Sequence, residues 1–90
     1  MFEAEKEKCL YYIKKCNCVL DKYGFDYDTK NHCVINYSEV SPYKVIRNLR
    51  QRLKNGEDSI SLLVFYMNAK ISYLQKLVIL GEAENACVMV

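Results

Sequence analysis

DSISLLVFYMNAKISYLQKLVIL, residues 58–80, decides the fold of this chain. Ile60, Leu63, Met67, Ile71, Leu74 and Val78 recur at spacings of three and four, the stripe of an amphipathic helix. Leu62, Phe65, Tyr66, Ala69, Tyr73, Leu77 and Leu80 cover much of the remaining circumference. A helix that is apolar nearly all round is either buried on several sides or set in lipid. Lipid is the poorer choice, because Lys70 and Lys76 interrupt the run and Ser59, Ser61, Asn68, Ser72 and Gln75 dilute it. A span needs about 20 mostly apolar residues, and a lysine near its centre costs about 2.5–3.5 kcal/mol. No membrane partner is expected, and the stretch reads as the central helix of a globular domain.

Immediately upstream, Ser41-Pro42 opens a second helix, with Ser41 at the N-cap and proline at the first helical position. It runs over 42–54, and Asn55-Gly56 stops it. Val45, Ile46, Leu49 and Leu53 form its apolar face; Lys44, Arg47, Arg50, Arg52 and Lys54 form the other, with no acid among them. Before it, Phe25-Asp26-Tyr27 and the segment His32 to Tyr37 alternate like strands around turn chemistry at Thr29 to Asn31, so a small strand or β-hairpin is expected over 25–37. The first helix spans 3–22. Phe2, Cys9, Ile13, Cys16, Leu20 and Tyr23 make its stripe, Tyr12 and Val19 widen it, and Gly24 stands where a left-handed C-cap belongs. Gly81 is expected to end the long helix and leave 82–90 as a loose C-terminal tail. The fold class is therefore mainly α (α+β), with three helices and one hairpin in a single domain.

A chain of 90 residues buries only about two-thirds of its surface and is marginally stable unless cross-linked, metallated or paired. A net charge of +2 is too small to argue for nucleic acid by itself. The first residues, MFEAEKEK, contain no apolar run, which reads as an intracellular, cytoplasmic chain. Abundant Lys, Asn, Tyr and Ile with scarce Gly, Ala, Arg and Pro fit an AT-rich coding genome, as in many phages and mobile elements.

Cys9, Cys16, Cys18, Cys33 and Cys87 are odd in number, and in a reducing compartment they read as free thiols acting as small buried hydrophobes. Zinc wants ligand pairs with gaps of about two to four residues. Cys16 and Cys18 have a gap of one residue and point apart on a helix, while His32 and Cys33 point to opposite faces of a strand. No metal site and no other cofactor is expected. Nucleophilic catalysis needs a base beside the nucleophile, and His32 is the single histidine, so no catalytic residue is assigned and no enzyme is expected. The C-terminal CVMV fits a prenylation pattern only formally, since Glu82 and Glu84 replace the usual basic stretch.

The basic helix face is the main functional cue. Lys44, Arg47, Arg50, Arg52 and Lys54, with Tyr37 and Tyr43 nearby, suit a phosphate backbone, an acidic protein surface or plain solvent. The order strand (32–37), helix (42–54), Asn-Gly turn, helix (58–80) resembles the ribbon–helix–helix family of dimeric DNA-binding proteins over about half of the chain. That resemblance implies that two chains pair their strands in the major groove, with His32 and Asn36 reading base edges. The chain departs from it at Glu57 and Asp58, which would repel phosphate, and in its additional first helix. The favoured expectation is a small adaptor or inhibitor that binds a protein partner, such as a nucleic-acid enzyme, through basic charge and surface tyrosines. Dimeric DNA binding is the alternative. Self-association is expected as well, because a helix of about 34 Å cannot be covered by one of about 20 Å. Tyr66, Tyr73 and Leu77 are the expected homodimer contacts.

Overall fold

The computed structural model describes the backbone of residues 2–88 and the side chains of residues 2–81. Its elements are α1 (Glu3–Tyr23), β1 (Phe25–Asp28), β2 (Cys33–Asn36), α2 (Pro42–Lys54), a 3₁₀ turn (Asp58–Ile60) and α3 (Ser61–Val88). Three helices with one antiparallel hairpin between the first two is the expected architecture.

α1 forms because its acids stand early and its bases late, Glu3 and Glu5 in the first turn and Lys22 in the last, which suits the helix dipole. Cys9, Cys16 and Leu20 are its buried residues. Gly24 ends it, but with φ −91°, outside the left-handed region. Space explains the glycine instead: a Cβ there would lie 2.6 Å from the carbonyl oxygen of Leu20, which accepts the Gly24 N–H at 2.7 Å.

The hairpin pairs Phe25 with Asn36 and Asp28 with Cys33, leaving Thr29 to His32 as its turn. Asp28 organises that turn, its carboxylate accepting from the backbone N–H groups of Lys30 and Asn31 and from the Asn31 amide. His32 is left-handed at φ 52°, so it belongs to the turn and not to the strand in which it was expected. Cys33 also departs from expectation: it is exposed, whereas Ile35 packs on the core and Tyr37 enters it.

α2 begins at Pro42 with extended Ser41 in the N-cap position, although the serine side chain makes no capping bond. At its end Gly56 has φ 102°, a conformation that needs glycine. α2 packs Ile46 and Leu49 against Ile60, Leu63, Val64 and Met67, and Leu20 and Tyr37 complete the cluster. Burying a side chain such as Leu49 or Met67 contributes about 1.5–3 kcal/mol, so this cluster is the main source of stability.

α3 is longer than the pattern suggests. It passes through Gly81, which has no positive φ, and continues to Val88 with no break at Leu80. Its expected stripe is buried only in part: Ile60, Leu63 and Met67 are inside, Ile71 and Leu74 are half-buried, and Val78 is 59% exposed. The cause is length. The 28 residues of α3 extend about 42 Å and the 13 of α2 about 20 Å. α1 and α3 run antiparallel, with Tyr12 stacked on Tyr73 and Cys16 beside the charge of Lys70, and give a rod of 52 × 24 × 22 Å. No helix among the described residues is long and apolar enough to cross a membrane.

Candidate binding surfaces

The basic face of α2 is the first surface to place. Lys44, Arg47, Arg50 and Lys54 are exposed, but Arg52 is not free for a ligand. Its guanidinium donates to both carboxylate oxygens of Glu57 at 3.0 Å and to Oδ2 of Asp26 at 2.9 Å. It therefore ties α2 to the hairpin and to the loop before α3. Its hydrogen bonds to Glu57 and Asp26 hold it protonated far above the ordinary range. Arg50 donates to Oδ1 of Asn68 and links α2 to α3. Two of the five expected binding cations thus have partners inside the fold, on elements that the spacing within α2 does not reveal.

Tyr37 corrects the expectation of a surface tyrosine. It is 5% exposed, in the core cluster, and its hydroxyl donates to Oδ2 of Asp26 at 3.1 Å. Burial pushes its pKa up and the Asp26 hydrogen bond adds to the rise. Tyr43 does lie at the surface. A recess of about 360 Å³ between the hairpin and α2 is lined by Asp26, Asp28, Asn48 and Arg52 together with apolar Ile35, Val40, Val45 and Leu49. Asp26 and Arg52 already neutralise each other there.

Of the proposed base-reading pair, His32 sits in the hairpin turn, and Asn36 is turned to its own chain, where its oxygen accepts from the Ser38 backbone N–H and hydroxyl. β2 is paired along one edge with β1. Cys9 and Cys16 are buried free thiols while Cys18 and Cys33 are exposed ones; the side chain of Cys87 lies outside the described residues. Burial raises the Cys16 pKa, and the nearby Lys70 charge pulls it back. Among the described residues no group of three His, Cys, Asp or Glu side chains is placed to hold a metal ion.

The larger surface was expected from sequence only on its α3 side, as the homodimer contacts Tyr66 and Tyr73, and not as a groove shared with α1. A groove of about 540 Å³ follows the seam between α1 and α3. Tyr12, Lys15 and Val19 line its α1 wall; Phe65, Tyr66, Ala69 and Tyr73 line its α3 wall, with Cys16 and Cys18 also contributing. Tyr12 and Tyr73 stack with centroids 5.0 Å apart and planes at 14°, and Phe65 stands edge-on to Tyr66 at 5.2 Å. Ala69, the smallest of these residues, leaves the groove its depth. The expected dimer contacts Tyr66, Tyr73 and Leu77 lie on this side of α3, and all three are half-buried. The available signal was a second stripe, Leu62, Tyr66, Ala69 and Tyr73, at spacings of four, three and four.

Comparisons with protein-family models, with curated proteins and with solved structures return no match.

Proposed function

We propose that the chain is a small non-catalytic binding protein that engages a protein partner, as an adaptor or inhibitor, through the groove between α1 and α3. The observation that carries this is the groove itself, open to solvent and lined by the aromatic rings of Tyr12, Phe65, Tyr66 and Tyr73 with Val19 and Ala69 between them. Exposed apolar surface bordered by polar residues is characteristic of protein interfaces. Phe65 is 64% exposed at its edge, which suits a ring that meets a partner's pocket. Protein is favoured over DNA because Arg52 and Arg50 already have partners within the fold and β2 is paired with β1.

A photo-crosslinking residue in place of Phe65, in cells that produce the protein, tests this. A discrete protein adduct is expected at Phe65 and none with the same residue in place of exposed Glu39. Equal adducts at both positions, or none at Phe65, would remove the groove as a binding face. Self-association is proposed not through the expected contacts Tyr66, Tyr73 and Leu77, which lie on the groove side, but on a different face, the part of the α1–α3 pair that α2 is too short to cover.

A further inference from the structure

We infer that the occupant of the α1–α3 groove is an amphipathic helix whose flanks are acidic. The inference rests on the protein-binding proposal above and adds the chemistry of the partner. Two antiparallel helices present a seam into which a third helix can lay its apolar stripe. Leu62, Tyr66, Ala69, Tyr73 and Leu80 continue along α3 at heptad-like spacing, broken only by Lys76, so the seam is several helical turns long.

Charge selects the partner. On α1, Lys8, Lys15 and Lys22 follow one another seven residues apart on the line beside Tyr12 and Val19, and all three are exposed. Glu5, one turn before Lys8, is the nearest carboxylate on that side. α3 has no carboxylate between Asp58 and Glu82, and Lys76 lies in its stripe. An apolar trough with a line of lysines along its α1 bank and Lys76 in its α3 stripe suits a helix that sets carboxylates against them.

A second copy of this chain fits less well, because an isologous contact would set the same lysines against each other. Single-stranded nucleic acid also fits less well. Tyr12 already stacks on Tyr73, and Lys15 is the one charged residue lining the groove, so the rings serve as walls more than as open stacking platforms.

A displayed library of amphipathic helices of roughly 18 residues, apolar on one stripe and randomised among Glu, Lys, Gln and Ser on the flanks, tests the inference. Selection on the full chain is expected to enrich glutamate on the flanks. The best peptide should bind at least about tenfold tighter than its Glu→Lys counterpart and lose about tenfold against Ala69→Trp, which fills the trough, or Phe65→Glu. Joint Lys8→Glu, Lys15→Glu and Lys22→Glu changes should turn the preference to the lysine-flanked peptide. No enrichment, or enrichment indifferent to flank charge, overturns the acidic helix; a cross-linked partner at Phe65 would then still keep the binding face. Tighter binding of oligothymidylate would make the groove a nucleic-acid site. A halved solution mass of Ala69→Trp would make the occupant a second copy.

Discussion

The ammonium of Lys70 donates to the backbone carbonyl of Ser38 at 3.0 Å from a side chain that is only 7% exposed. This bond fastens the middle of α3 to the loop between β2 and α2. The Ser38 hydroxyl contacts Asp21 of α1 as well, so one loop residue meets two helices. Burial lowers the Lys70 pKa, with Cys16 and Asp21 pulling the other way. Two opposing effects follow for a substitution. Removing the ammonium leaves a carbonyl without its donor, at about 1–3 kcal/mol, but also relieves the desolvation of a charge. Lys70→Met, which keeps the stem, is therefore expected within about 1 kcal/mol of wild type. Lys70→Ala, which also loses the packing of the stem, should cost about 2 kcal/mol or more. Urea unfolding at pH 7 decides, and a Met variant that loses as much stability as the Ala variant would show that the ammonium, not the stem, holds the loop.

The helices were legible because their signals are local: the stripe of α3, Ser41-Pro42 before α2, the acid-to-base order of α1. What was hidden depends on elements meeting in space. Lys70 interrupts an apolar run and reads as solvent-facing, yet it is buried because Ser38, 32 residues away, supplies an acceptor. Arg52 reads as one cation of a binding face, yet Asp26, 26 residues away, claims it. Tyr37 reads as a surface ring for the same reason. The α3 wall of the groove was legible as an uncovered apolar side, but only antiparallel packing brings Tyr12 and Val19 of α1 beside it to make a groove.

The glycines should respond in opposite directions. Gly24→Ala places a Cβ 2.6 Å from the Leu20 carbonyl oxygen, so the α1–β1 junction must shift and stability should fall by about 1–3 kcal/mol. Gly81 lies in helix with nothing within 4 Å of such a Cβ, so Gly81→Ala should gain about 0.5–1 kcal/mol. Thermal melts of both variants would settle this, and a loss at Gly81 would place the end of α3 there after all.

Three carboxylates set the response to acid. For Asp26 burial acts upward, but hydrogen bonds from the Tyr27 N–H, Arg52 and Tyr37 together outweigh it and hold the group below its ordinary 3.8. Hydrogen bonds from Asn31 lower Asp28, and those from Arg52 lower Glu57 from 4.5. A depressed carboxylate binds fewer protons in the fold than in the unfolded chain. Its contribution is therefore complete above the unfolded pKa and is lost as the pH falls through the folded one. Stability should be steady near neutrality and decline below about pH 4. Asp26→Asn should be less stable at pH 7, and its deficit should shrink through the acid limb. A deficit independent of pH would deny the Arg52–Asp26 pair an electrostatic role.

Thiol reactivity should divide by burial. Cys18 and Cys33 are exposed and should react within the mixing time of an aromatic disulfide reagent near pH 8, whereas Cys9 and Cys16 wait for opening of the fold. Burial raises the Cys16 pKa and slows it further. Four rapid thiols among these positions, tracked by mass spectrometry, would contradict the packing of α1 on α3.

The last expectation concerns a second copy, on the face opposite the groove. Met67, Ile71, Leu74 and Val78 follow one line of α3, and α2 covers its start. Leu10, Asn17 and Asp21 follow one line of α1, and Asp21 meets Ser38 of the loop before α2. Both lines therefore face the α2 layer, and both run beyond its end. Val78 is 59% and Leu10 55% exposed there, on neighbouring antiparallel helices. Two such ends, packed about a two-fold axis, would bury each other as a four-helix arrangement. Light scattering should give twice the chain mass of 10.6 kDa. Leu10→Lys with Val78→Lys should return it to a single chain without loss of helicity, since neither side chain lies in the core cluster. A wild-type mass near 10.6 kDa at tens of micromolar would sink the dimer. The groove, on the other side of the α1–α3 pair, would be untouched by that result.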